Sequence, residues 1–179
     1  WLYHSFGEDI FGMKLDFLAS RPVEDIKLIV SMMRKGINAP LTSSAGRLFD
    51  AVSALLNVRT HSRFEAEAAM VLESLADEND LQHYTFDYTE TGVGFASTFR
   101  EMVGDLQDGV SRSVISARFH NTLSRAIVFI SCEIRKQKGL NKVVLSGGSF
   151  QNRFLSERTA QWLREEDFEV FRHQRVPAN

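Results

Sequence analysis

With 179 residues, 44% of them hydrophobic, the chain can bury a sizeable core as one domain or as a lobe of a larger one. A formal net charge of −2 leaves no basic field for nucleic acid or an anionic membrane, and the 21 Lys and Arg are scattered through helical patterns. One cysteine, Cys132, excludes an internal disulfide and argues against a cysteine-built metal site, while the lack of a long apolar run or signal-peptide pattern predicts a cytoplasmic chain with no membrane partner.

Glu8 to Ala19 carries Ile10, Phe11, Leu15 and Leu18 at helical spacing, which predicts one helix. Pro22, Glu24 and Asp25 suit the start of the next, whose buried face is expected to be Ile26, Ile29, Val30 and Met33, with Gly36 at its C-terminus. Ile37 to Pro40 reads as an extended linker. Thr42 to Gly46 is rich in N-cap residues, and a helix from Arg47 to Leu56 buries Leu48, Phe49, Val52, Leu55 and Leu56. Asp50 on that helix is either a solvated charge or an acceptor for ribose hydroxyls, and spacing does not decide between them.

After a loop at 57–63, a helix is expected from Phe64 to about Ala76. Glu65 and Glu67 diverge on such a helix and cannot both face one ligand; in an extended turn before the helix one of them could point into a cleft, and otherwise each is a surface charge. Tyr84 to Tyr88 reads as a short strand, and Gly92-Val93-Gly94 as a weak turn signal rather than a dinucleotide fingerprint. Helices follow at Phe95 to Leu106, bounded by Gly104 and Gly109, and at Ser111 to Lys138. The second of these has Val114, Ile115, Phe119, Leu123, Ile127, Ile130 and Ile134 as its stripe and Gly139 as its cap. His120 on that helix is either a packing histidine or a contact to a nucleotide or to the turn at Ser146; His4, His61, His83 and His173 show no metal-ligand spacing.

Val143, Val144 and Leu145 form a buried-strand pattern, broken by Ser146-Gly147-Gly148, and Gln151-Asn152 opens a helix buried on Phe154, Leu155, Ala160 and Leu163. Phe168 to Phe171 is a second strand, which makes a parallel βαβ unit. A strand, a two-glycine turn and a helix start bring unpaired backbone N–H groups to one point, a geometry suited to an anion or nucleotide. An ordinary β–α connection has the same spacing.

Three segments carry a resemblance. Asn38-Ala39-Pro40 with Ser43-Ser44-Ala45-Gly46-Arg47-Leu48-Phe49-Asp50-Ala51, Phe64-Glu65-Ala66-Glu67-Ala68-Ala69, and Ser146-Gly147-Gly148-Ser149-Phe150-Gln151-Asn152 below Phe119-His120 resemble blocks of the HypF carbamoyltransferases. The resemblance is to their C-terminal domain, which is similar to the threonylcarbamoyl-transferases of tRNA modification. It implies a helix-rich α/β lobe of the actin, Hsp70 and sugar-kinase type (ribonuclease H-like), with a helical part over about 1–80 and an α/β part over about 81–179. In such a family carbamoyl phosphate and ATP give carbamoyl-adenylate, whose carbamoyl group passes to the C-terminal cysteine of a HypE-type acceptor. The resemblance places Gly46, Asp50, Glu67, Ser146, Gly147, Gly148 and Asn152 at the nucleotide, with Ser44, Arg47 and His120 in support, and Asp50 accepting from ribose hydroxyls. It assigns no catalytic base.

Two departures fall within these segments, the first expected to restrict the turn before Glu67 and the second harmless. Ala66 stands where the family carries glycine, and Ser149 where it carries an apolar residue. The divalent metal that the family uses is expected to find its ligands outside Trp1 to Asn179, so the chain reads as a piece truncated at both ends and inactive alone. Nucleic acid is not expected as a partner. The rival readings are a transferase of the same fold acting on tRNA or a small hydroxyl acceptor, and a non-catalytic nucleotide-binding module.

Overall fold

The structure, a computed structural model of the chain, describes residues 1–89 and 92–173. The chain divides into two compact units, Trp1–Leu72 and Glu73–Asn179.

The N-terminal unit is helical. Helix α1 spans Leu2–Phe6, a 3-10 turn Gly7–Gly12, and helix α2 only Asp16–Ala19. The single helix expected over 8–19 is thus broken at Met13 to Leu15, where the backbone is extended. The apolar spacing still reports burial, because Ile10, Leu15 and Leu18 are all buried. Helix α3 (Val23–Arg34) begins after Pro22 with Glu24 and Asp25 in its first turn, where carboxylates meet the positive helix pole. It ends in a Schellman motif: Gly36 at φ +65 donates to the Met33 carbonyl and Ile37 to the Met32 carbonyl, at 3.2 and 2.9 Å. The expected apolar face of α3 is not buried as a whole. Val30 is, but Ile29 and Met33 are 57% and 40% exposed.

Helix α4 (Ala45–Leu55) starts two residues earlier than its spacing suggests, because Ser44 caps it by accepting from the Arg47 N–H at 3.4 Å. Leu48, Phe49, Val52, Leu55 and Leu56 are all buried. Helix α5 (Glu67–Leu75) starts three residues later than expected. Ala66 lies at φ +62, a left-handed conformation that interrupts any helix begun at Phe64.

In the C-terminal unit, β1 (Asp87–Thr89) pairs antiparallel with β2 (Gly92–Gly94), so the Gly-Val-Gly segment is a strand and not a turn. The strand expected from Tyr84 is confined to Asp87 onward; upstream, the Tyr84 N–H donates to Thr122 Oγ1 at 2.9 Å rather than to a sheet. Helix α6 (Ala96–Gln107) runs through Gly104 and is closed by Gly109 at φ +76.

Helix α7 (Arg112–Lys138) is the axis of this unit, capped by Ser111 at its start and by left-handed Gly139 at its end. Its N-terminal half is buried beyond the expected stripe: Ser116, His120, Asn121, Thr122 and Ser124 are inaccessible to solvent, whereas Ile134 is 45% exposed. Polar groups tolerate such burial when paired. Thr122 donates to the Arg118 carbonyl, and Asn121 Nδ2 to the carbonyls of Asp80 and Gln82, both at 2.8 Å.

Strands β3 (Lys142–Leu145) and β4 (Glu169–Arg172) pair in parallel, joined by helix α8 (Arg153–Glu165), which gives the expected βαβ unit. Val128, Leu145, Ala160, Trp162, Leu163 and Phe168 form its core, with Cys132 packed beside them, as a small apolar residue would be. Among the described residues no helix is long and apolar enough to cross a membrane.

Candidate functional site

Strand β3 ends at Leu145, and the chain turns through Ser146 and Gly147 into a 3-10 turn, Gly148–Gln151, before α8. Gly147 has φ +97 and ψ 162, a region open in practice only to glycine, while nothing lies within 4 Å of where its Cβ would stand. The requirement for glycine there is therefore one of backbone conformation and not of space. Gly147→Ala is expected to cost about 1–3 kcal/mol of stability, measured as a lower midpoint of unfolding in urea.

The start of α8 departs from the expected cradle of open N–H groups. Asn152 caps the helix, its Oδ1 accepting from the Leu155 N–H at 2.8 Å. Glu73 Oε1 accepts from the N–H groups of Arg153 and Phe154 at 2.6 and 3.2 Å. The chain's own carboxylate thus takes the seat that the helix pole would offer an anion. A ligand at this turn has the backbone of residues 147–149 to bind, not the helix N-terminus.

His120 sits behind the same turn, fully buried. Its Nδ1 lies 2.8 Å from the Ser116 carbonyl, which can only accept, so Nδ1 carries the proton. Nε2 is then an acceptor for Asn152 Nδ2 at 2.9 Å. Burial pushes the imidazole down to about 4, against the partial offset of the Ser116 bond. Neutral His120 orients Asn152, and Asn152 fixes the end of the turn. Between the two alternatives open for His120, it packs, and it touches the turn through Asn152.

Ser146 points the other way. Its exposed hydroxyl lies 3.0 Å from His173 Nε2, just past the end of β4.

The remaining candidate residues belong to the N-terminal unit. Asp50 is 41% exposed at its side chain and paired with Arg47 at 3.1 Å, one turn along the helix that Ser44 caps. Gly46 occupies the first turn of α4, and a Cβ there would make ordinary contact with Ser44 Oγ at 3.6 Å. Glu67 is buried, and four donors surround it. Its Oε2 accepts from the Arg63 N–H at 2.6 Å, and its Oε1 from Arg63 Nη2, Arg59 Nη2 and Arg63 Nε at 2.9, 3.1 and 3.2 Å. The backbone and side-chain bonds from Arg63 hold its carboxyl below the usual range. The neighbouring Ala66 explains why glycine suits this position. Ala66→Gly is expected to stabilise the chain by about 0.5–1 kcal/mol, the relief of left-handed strain less the added freedom of the unfolded chain, seen as a higher urea midpoint.

Among the described residues no three His, Cys, Asp or Glu side chains come together as a metal-holding group.

A family described as "Carbamoyltransferase, Kae1-like Domain, second subdomain" matches residues 2–179. The chain belongs to the HypF carbamoyltransferase family. It is 30% identical over 194 residues to carbamoyltransferase HypF of Synechocystis sp., covering 99% of this chain and 25% of that protein. With HypF of Rhodobacter capsulatus the identity is 34% over 175 residues, 92% of this chain and 22% of the other. The chain thus spans about a quarter of the length of the curated relatives it matches. A crystal structure of full-length HypF, described as phosphate- and nucleotide-bound, superposes on 99% of this chain with a TM-score of 0.90 and 37% identity, covering 28% of that protein. HypF of T. kodakarensis superposes on 87% of this chain, and this chain covers 20% of it, with a TM-score of 0.76 and 25% identity. The helix-rich α/β lobe with a parallel strand pair is accordingly a HypF fold.

The Ser146–His173 contact escaped sequence reasoning because its signal is strand register, which spacing along the chain does not contain. Glu73 escaped because nothing local marks a carboxylate as the cap of a helix eighty residues away.

Proposed function

We propose that the chain is part of an ATP-dependent carbamoyltransferase that passes the carbamoyl group of carbamoyl-adenylate to the C-terminal cysteine of a HypE-type acceptor, toward the cyanide ligands of NiFe-hydrogenase. Membership of the HypF family along nearly the whole chain is the observation that carries this reading. The nucleotide-bound relative supports a nucleotide at the fold.

The turn at Ser146 to Gly148 stands at the carboxyl end of a parallel strand, where open α/β sheets hold their ligands. Gly147 holds a conformation open in practice only to glycine, so phosphoryl oxygens can approach the backbone there without a Cβ between. Asn152 and His120 contribute rigidity and stay off the ligand: their polar atoms face each other and the helix. Asp50, on the N-terminal unit, is proposed as the acceptor for ribose hydroxyls, with Arg47 fixing one of its oxygens. Glu67, held by Arg59 and Arg63, serves by shaping the start of α5. A divalent metal would act in the longer protein through residues other than those described here.

The test is transfer by the intact protein. Mixed with ATP, carbamoyl phosphate and a HypE-type acceptor, it is expected to add one carbamoyl group to the acceptor's terminal cysteine, read by mass spectrometry. Modification of tRNA adenosine or of a small hydroxyl compound instead would replace the acceptor, and turnover of none of them would leave a nucleotide-binding module.

A further inference from the structure

We infer that His173 is a positioning residue that holds the Ser146 hydroxyl as a donor to a phosphoryl oxygen of the bound nucleotide; this rests on the nucleotide reading above. Leu145 of β3 and Arg172 of β4 are register partners in a parallel pair. The residues that follow them, Ser146 and His173, therefore leave the sheet side by side at its carboxyl end, one strand spacing apart. Their side chains meet, with Oγ 3.0 Å from Nε2, and both residues are exposed.

A serine hydroxyl has one hydrogen to give and two lone pairs. If the imidazole accepts, that hydrogen is spent on His173 and the hydroxyl offers only lone pairs outward, which repel a phosphoryl oxygen. If Nε2–H donates to Oγ instead, the hydroxyl hydrogen is released toward the ligand. An anionic ligand selects the second arrangement, because only that arrangement presents a donor. The adjoining Gly147 leaves the approach clear, with nothing within 4 Å of its absent Cβ. An exposed Ser–His bond adds little to folding, so its effect falls on the ligand.

The experiment measures ATP affinity of the intact protein by calorimetry, with thermal unfolding as a control for folding. Ser146→Ala and His173→Ala are each expected to raise the Kd for ATP about five- to tenfold, and the double variant no further than either single one. His173→Gln, which can place an amide N–H near the Nε2 position, is expected to restore part of the loss. Affinity unchanged in His173→Ala, or losses that multiply in the double variant, would overturn the inference. Gly147→Ala separates it from the reading beneath. If Gly147→Ala weakens ATP and His173→Ala does not, only the inference falls. If ATP does not bind the wild-type protein, or binds with an affinity that Gly147→Ala leaves alone, the nucleotide is not at this turn and both fall.

Discussion

Asn152→Ala is expected to lower the unfolding free energy of the chain by about 3 kcal/mol, the loss of a helix cap and of a buried hydrogen bond together. The side chain closes two bonds at once. Oδ1 takes the Leu155 N–H, and Nδ2 gives its hydrogen to His120 Nε2 inside a fully buried pocket. Alanine supplies neither, and the imidazole nitrogen left behind has no solvent to turn to. Urea titration followed by Trp162 fluorescence reads the change, since Trp162 lies on α8 and is 4% exposed. Asn152→Asp separates the two roles. A carboxylate still caps the helix but meets the His120 lone pair, so His120 must take up a proton and its pKa rise. A loss below 1 kcal/mol for Asn152→Ala would mean that the turn does not depend on this pair.

The second large effect is on pH. His120 titrates near 6.5 when the chain is unfolded and is pushed down to about 4 when folded. Above pH 6.5 both states are neutral and the residue costs nothing. As pH falls below 6.5 the unfolded chain gains a proton that the folded chain refuses, so stability declines until about pH 4, where the folded imidazole also protonates. The full decline from this one group is about 3 kcal/mol. His120→Gln should flatten the slope of stability against pH across that window by up to one proton, whatever its effect at neutral pH. An unchanged slope would show that His120 is not the group responsible.

Much of this architecture is legible in the residues. The residues that apolar spacing assigns to the buried faces of α4 and α8 are all buried, because a 3.6-residue period reports an amphipathic face; Trp162, also buried on α8, lies outside that stripe. Ile10 and Leu18 were legible as core, but the break between them was not, since burial periodicity survives a break in the backbone. Helix α7 shows the opposite failure. A stripe rule assumes one wet face, and most of the first half of α7 is buried, so its buried serines, threonine and asparagine fall outside the stripe. In α3 the rule overreached, with Ile29 and Met33 left largely exposed. The glycine turn was legible as a connection between strand and helix, since Ser-Gly-Gly breaks the apolar run at Leu145. Its chemistry was not, because Glu73 closes the helix end from far along the chain and His173 joins through register.

The strand pair itself has a consequence for handling the chain. Val144 and Phe171 are register partners, so they share one face of the sheet, and they are 66% and 43% exposed. Among the described residues neither β3 nor β4 has a second neighbour, which leaves two outer edges with ladder positions to fill. A short, apolar-faced sheet with open edges is a template for another strand. Concentrated preparations of the chain are therefore expected to self-associate through this face, and a Val144→Thr, Phe171→Thr variant to remain monomeric in sedimentation at the same concentration. Equal association by both proteins would move the contact elsewhere. Lys142 and Glu169, register partners at the strand starts, pair with each other at 3.4 Å and leave the outer edges without that charge.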